Sequence, residues 1–508
     1  MARWSVSRSK LTPMSYLNRR DFLAFSAVAS AMLAFPGCAN LAQSPRKPRP
    51  IAPGAKIRIA QIGCGGKGFS DVMPHKDTEE IVALCDIDWE GLQRPTQAQK
   101  DSANKATKKA DSAKAGSKQG PSEPNVKKLA KEFPNAKRYT DFRKMLLEMD
   151  DQIDAVIVST PDHMHFLPAY MAIMLGKHVY VQKPLTQTVG EARELLRLAR
   201  LNGVVTQMGN QGHAGEGIRL VKEWINAGLL GDVREAHVWT NRPVWPQGFQ
   251  EWPATDPIPP GLDWESFIGR APMKPFSRRI HPFNWRGFID YGCGALGDMA
   301  CHLMDAAFWG LELGAPTSVE LKKIVDPSKV AFPKSAIVEY QFPARGKMPP
   351  VKLTWYEGGL LPDKPKEMGE RELARGGQLI VGSKATVYDG TDYCISPRFI
   401  PESLHQEYGT TGKFPPKTIP RVLPGTPNSG SPYKEWSTAI RAGDPKGCGS
   451  GFEYSVPFTE AVALGTMAIL VGKKFTWDPV AMKTNLPEAD ALLYPTYRKG
   501  WNPNEVLA

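Results

Sequence analysis

The feature that most constrains this chain is a glycine loop, Gly63-Cys64-Gly65-Gly66-Lys67-Gly68, which follows directly on a strand-forming run at 56–61 and leads into a helix-forming stretch. In a strand–turn–helix setting each glycine has its own task. Gly63 allows the tight turn, Gly65 lets backbone approach a pyrophosphate, and Gly68 lets the helix pack close to the sheet. The helix N-terminus then presents free N–H groups and a favourable dipole to phosphates. A second strand run, 80–86, lies at the distance of a βαβ unit and ends on Asp86. A carboxylate at that place accepts hydrogen bonds from an adenosine ribose and repels a 2′-phosphate, and Asp88 adds to the repulsion. The expected cofactor is therefore NAD, with NADP disfavoured.

Beyond the loop, apolar β-branched runs at 155–159, 178–182 and 204–208 alternate with helix-forming runs at 169–176 and 189–202, which predicts a doubly wound parallel sheet. After about residue 210 the pattern changes. Segments 233–240, 335–342, 351–356 and 378–388 alternate with a two-residue period, broken by helices at 297–309 and 458–471, which predicts an open, mainly antiparallel sheet. The expected fold class is α/β: an N-terminal Rossmann domain and a C-terminal α/β domain. A length of 508 residues with 42% hydrophobic content accommodates both and excludes a disordered chain. The expected boundaries are 1–50 for a signal and linker, 51–185 for the Rossmann domain with a low-complexity insertion at about 97–125, and 186–508 for a substrate and oligomerisation domain.

A formal charge of +12 raises the question of a nucleic-acid partner. The charge is local. Residues 1–49 hold eight Lys and Arg against Asp21 alone, and residues 97–137 hold ten Lys against four acids, so the remainder is close to neutral and no nucleic acid is expected. Asn18-Arg19-Arg20-Asp21-Phe22-Leu23 is a twin-arginine pattern, and the apolar stretch 22–35 behind it is too short for a stable bilayer span. That pattern predicts export of a folded protein by the twin-arginine machinery to the periplasm or cell envelope. Cys38 follows a poor lipobox and Ala42 ends an imperfect cleavage site, so lipidation and simple cleavage both stay open, and membrane contact is expected only through a lipidated Cys38. The seven cysteines show no CxxC or zinc spacing, so no metal is expected, and Cys64 reads as a small buried thiol.

Three further motifs carry chemistry: Thr160-Pro161-Asp162-His163-Met164-His165, then Gln182-Lys183-Pro184, then Gly297-Asp298-Met299-Ala300-Cys301-His302-Leu303-Met304-Asp305. With these the chain resembles the Gfo/Idh/MocA oxidoreductases. The resemblance implies a Rossmann domain followed by an open-sheet α/β domain that builds homo-oligomers, and sugar or polyol substrates. The family's Glu-Lys-Pro appears here with glutamine first. By resemblance, Lys183 is a catalytic or substrate-orienting lysine beside the nicotinamide, the family's Asp-x-x-x-His pair maps onto Asp298 and His302, and Pro161, Asp162 and His165 lie near the nicotinamide ribose.

The chemistry points the same way. Oxidation of a carbinol needs a base for the hydroxyl proton, and a neutral histidine tuned near the working pH is suited to it. Asp298 and His302, four residues apart on a helix, face one cleft. His302 is expected as base, Lys183 as the group that stabilises developing negative charge, and Asp298 as the orienting carboxylate. Gln211, His213 and Arg286 are either sugar contacts or loop packing, and Asp290 shares that ambiguity. The expected function is an exported, NAD-dependent oxidoreductase of sugars or polyols, with the cofactor tightly held because free NAD is scarce outside the cytoplasm. The alternative is a glycoside-cleaving enzyme that oxidises its substrate transiently.

Overall fold

The structure, a computed structural model, describes residues 46–92, 123–421 and 431–507. The twin-arginine segment, Cys38 and nearly all of the lysine-rich insertion lie outside the described residues.

Two sheets organise the chain. The first has the order β3-β2-β1-β4-β5-β6 and is parallel throughout: β1 (Arg58–Ile62), β2 (Glu80–Cys85), β3 (Lys137–Tyr139), β4 (Ala155–Val158), β5 (His178–Val181) and β6 (Thr206–Met208). Every residue of β4 and β5 is buried, as a sheet covered by helices on both faces requires. Chain order reverses between β1 and β4, and it is at such a switch point, beyond the carboxyl ends of the strands, that doubly wound sheets bind ligands. As the runs at 189–202 and 204–208 predict, the sheet continues through the helix Val189–Asn202 to β6, past the expected domain boundary at 185. The three-residue strand β3, largely solvent-facing and too polar to show an apolar run, follows the helix Asn125–Glu132.

The second sheet has nine strands in the order β13-β12-β11-β7-β10-β9-β8-β14-β15. These are β7 (Val233–Trp239), β8 (Ser318–Val325), β9 (Ser335–Phe342), β10 (Val351–Tyr356), β11 (Gly377–Gly382), β12 (Thr386–Asp389), β13 (Arg398–Ile400), β14 (Phe475–Asp478) and β15 (Lys483–Thr484). Only β7 and β10 run parallel. Burial along β9 alternates residue by residue, the signature of one covered face. The cover is the helix Phe452–Val471, which packs on β8, β9 and the helices Val189–Asn202 and Gly294–Leu303. It is long and apolar enough to cross a bilayer, but most of it is buried in the protein core. It begins six residues earlier than the sequence pattern suggests. Pro457 removes one N–H from an early turn, and packing offsets that loss.

The C-terminal part also returns to the first sheet. The helix Pro432–Ala442 buries Trp436, Ala439 and Ile440 against Ile57, Ile59 and Tyr180, and Arg441 pairs with the buried Glu79 at 2.6 Å. A fully buried large apolar side chain contributes about 1.5–3 kcal/mol, so this helix is an integral wall of the nucleotide-binding half.

Candidate active site

The glycine loop joins β1 to the helix Gly66–Val72 at the carboxyl edge of the first sheet. Gly63 has φ +81°, and a Cβ there would stand 2.6 Å from the Ser159 carbonyl oxygen. At Gly68 a Cβ would stand 1.8 Å from the Gly63 oxygen, which is the close packing expected of the third glycine. Gly65 differs. A Cβ there would meet nothing within 4 Å, and the helix it precedes has no side-chain cap. Open space before uncapped N–H groups fits a pyrophosphate, so Gly63, Gly65 and Gly68 would hold that part of a dinucleotide. Asp86 Oδ2 accepts from Cys64 N at 2.6 Å and Gly65 N at 3.1 Å, which ties the ribose-side carboxylate to the loop. Asp88 accepts from the Gly91 and Leu92 N–H groups and faces His281 at 3.4 Å. These contacts fix it in a turn and hold its carboxyl below the usual value, so it stays ionised. Cys64 is a fully buried free thiol.

Across the same edge, Lys183 follows β5, and its Nζ donates to Asp298 Oδ1 at 3.0 Å and to the Asp298 carbonyl at 2.7 Å. Arg286 Nε lies 3.3 Å from the same Oδ1, its guanidinium flat against Phe283 and Trp285. Burial alone would raise the Asp298 carboxyl, but Lys183 and Arg286 outweigh it and hold it at about 2. His302 sits one turn on, in the helix Gly294–Leu303, 5% exposed with Nδ1 unpartnered. Burial, helped by Lys183, pushes its imidazole well below the ordinary value. The expectation of a histidine tuned near the working pH is thus corrected: desolvation keeps it neutral far below pH 6.5. Asp162 moves the other way. Buried beneath Lys183 and Arg286 and accepting from Cys293 N at 3.1 Å, it is raised by desolvation to about 7.

Other candidates are placed differently. Pro161 borders the β4 edge, half-buried. The two ring nitrogens of His165 face the carbonyls of Pro184 (2.7 Å) and Thr160 (2.9 Å), and burial lowers it to about 4. Neutral, it donates to one of the two, and the ring is enclosed between these loops. His163 does the same between Tyr291 and Phe267. His213 is also turned inward: Nδ1 meets Asp305 at 3.0 Å and the ring lies between Trp309 and Tyr454. It forms a core dyad with Asp305, and its Nε2 is buried without a partner. Gln211 is half-buried near Tyr433, and Asp290 lies beside Lys274. Trp239, Trp245 and Trp264 are core residues.

Comparison with known proteins follows this layout. Residues 57–210 match the family model for the NAD-binding Rossmann fold of the GFO_IDH_MocA oxidoreductases, and residues 216–334 match the family's C-terminal alpha/beta domain. The chain belongs to the Gfo/Idh/MocA oxidoreductase family. An uncharacterized oxidoreductase of Schizosaccharomyces pombe is 29% identical over 220 residues, 43% of this chain and 49% of that protein. The scyllo-inositol 2-dehydrogenase (NADP(+)) of Bacillus subtilis is 29% identical over 117 residues, 23% of this chain and 32% of that protein. A glycosyl hydrolase family 109 protein of Shewanella amazonensis is 26% identical over 231 residues, 43% of this chain and 45% of that protein. The chain thus spans about half or less of the curated relatives it matches. The crystal structure of an inositol dehydrogenase homolog with NAD+ from Azotobacter vinelandii shares the fold, with a TM-score of 0.52 at 16% identity over 86% of this chain and 100% of that one.

Within this Gfo/Idh/MocA frame, two features of the site escape sequence reasoning. Tyr393, in the β12–β13 loop, is 40% exposed and stands edge-on over His302, ring centres 4.8 Å apart. The next residue, Cys394, is buried at φ +51°, and a Cβ on Gly212 would come within 3.2 Å of Tyr393 backbone, so the loop is held tightly at this point. Only its tyrosine, 91 positions from His302, could have signalled it. Asp71 is the second: fully buried, it gathers four side chains at the sheet edge.

Proposed function

We propose that this protein is an exported, NAD-dependent oxidoreductase acting on the CH–OH groups of a sugar or polyol. The observation that carries the reading is the cluster of Lys183, Asp298 and Arg286 beside a neutral His302, on the strand edge where the open glycine cradle lies. A bound nicotinamide supplies the two-electron acceptor, and Asp86, Gly63, Gly65 and Gly68 are the residues that would hold its dinucleotide. The imidazole of His302 enters neutral and takes the proton of the substrate hydroxyl. Lys183, aimed by Asp298, stabilises the negative charge that develops on that oxygen. Arg286 supplies a charged wall for the sugar, and Tyr393 covers the base. Tight retention of NAD in preference to NADP, export by the twin-arginine pathway to the periplasm, and assembly of copies through the open nine-stranded sheet belong to the same reading. The first rests on Asp86, the second on Arg19-Arg20 and the apolar run behind it.

A second reading, glycoside cleavage by transient oxidation at the same centre, is favoured by the family 109 glycosyl hydrolase among the relatives. One experiment separates them. The full-length protein is purified, the nicotinamide released on denaturation is quantified, and the holoprotein is offered sugars, polyols and aryl glycosides. Net NADH formation from a sugar or polyol supports the first reading, aglycone release without net NADH the second. Absence of bound or bindable nicotinamide refutes both.

A further inference from the structure

The glutamine that replaces the first residue of the Glu-Lys-Pro motif has a structural counterpart. Gln182 is 4% exposed, and its Nε2 donates to both oxygens of Asp71, at 3.1 and 2.9 Å. Asp71 lies in the helix of the glycine loop and is itself fully buried. Its Oδ1 also accepts from Lys67 Nζ at 2.6 Å and Tyr433 Oη at 2.8 Å, and its Oδ2 from Ser159 Oγ at 2.7 Å. A Cβ on Gly209 would come within 2.5 Å of Gln182 Nε2, so the amide is held from the β6 side as well. A glutamate at 182 would set two buried carboxylates about 3 Å apart, an arrangement that forces one of them to take up a proton.

We propose that Asp71 and Gln182 form a buried acid–amide pair, the carboxylate standing on the glycine-loop helix and the amide in the lysine motif, and that Asp71 is the positioning residue that fixes the corner carrying Lys183. Its hydrogen bonds tie together the glycine-loop helix, the ends of β4 and β5, and the helix Pro432–Ala442, so cofactor cradle and reacting lysine are set by one buried charge. Lys67, whose side chain is 35% exposed, supplies the balancing cation, which makes the buried carboxylate tenable. This assignment rests on the reading of Lys183 as part of the reacting centre, but the placement of Lys183 is testable without any substrate.

The test compares wild type, Asp71→Asn, Gln182→Glu and the exchanged double variant as full-length proteins. Acetylation of Lys183 by acetic anhydride, quantified by mass spectrometry, reports how the lysine is held. Each single variant is expected to raise the labelling rate by about fivefold, and the double variant to return it close to wild type. On any sugar the wild type oxidises, the singles are expected to lose about tenfold or more in kcat with little change in KM, and the double to recover most of it. If a single variant fails to fold while the double folds, the exchange is equally demonstrated. Labelling unchanged in the singles, or losses that multiply in the double, would overturn the proposal. Absence of turnover by the wild type would count against the oxidoreductase reading only.

Discussion

Replacing Asp298 by asparagine removes the charge that Lys183 and Arg286 share while keeping size and shape. The Asp298 carboxyl falls from 3.8 to about 2 in the folded protein, with its side chain 17% exposed. That drop corresponds to about 2 kcal/mol of stabilisation of the ionised form. The sign follows from the direction: a depressed carboxyl stabilises the fold above pH 3.8 and loses that contribution as pH falls toward 2. Asp298→Asn is therefore expected to be less stable than wild type by about 2 kcal/mol at neutral pH, with the gap closing below pH 4. Urea unfolding followed by tryptophan fluorescence measures it, since Trp436 packs on the first sheet and Trp239 and Trp355 stand in the second. Turnover should fall by about a hundredfold, because Lys183 is no longer aimed. A variant as stable as wild type at pH 7, or a deficit that stays constant down to pH 2, would refute the argument that two cations hold this carboxylate.

Asp162 predicts the opposite slope. Its folded value, raised to about 7, means the native state binds more protons than the unfolded chain between about pH 4 and 7. Stability should decline across that window by up to about 4 kcal/mol, and Asp162→Asn should flatten the decline in the same urea assay. Because His302 is pushed well below 6.5, an inflection near pH 7 in the rate profile is expected to vanish in Asp162→Asn, and its persistence would assign it elsewhere. His302→Ala should abolish turnover while NADH affinity, read by fluorescence titration, stays within about threefold of wild type. The two inner glycines should respond in contrasting ways: Gly65→Val leaves a folded protein that binds NADH at least about tenfold more weakly, whereas Gly68→Ala fails to fold or loses thermal stability. Equal effects of the two changes would refute the cradle.

Much of this site was legible in sequence because its parts are local. The strand–GxGxxG–helix unit and the four-residue spacing of Asp298 and His302 are set by backbone period, which is why both occupy the places their spacing implies. The alternation in β9 likewise announced a sheet with one covered face. Long-range partners were not legible. His163, His165 and His213 carry the same side chain as His302, and only tertiary contacts decide that the first two lie against backbone carbonyls and the third against Asp305, while the last lies in the field of Lys183 and Asp298. The sequence by itself determined a dinucleotide-binding sheet, the mainly antiparallel sheet after it, and, through their motifs, the candidacy of Lys183, Asp298 and His302. The tertiary structure decided the low carboxyl of Asp298 and the neutral imidazole of His302, the loop that lays Tyr393 over that histidine, and the buried hydrogen bonds from Gln182 to Asp71. The physical reason is that pKa and hydrogen-bond partnership depend on desolvation and on neighbours tens to hundreds of residues away, which no local pattern encodes.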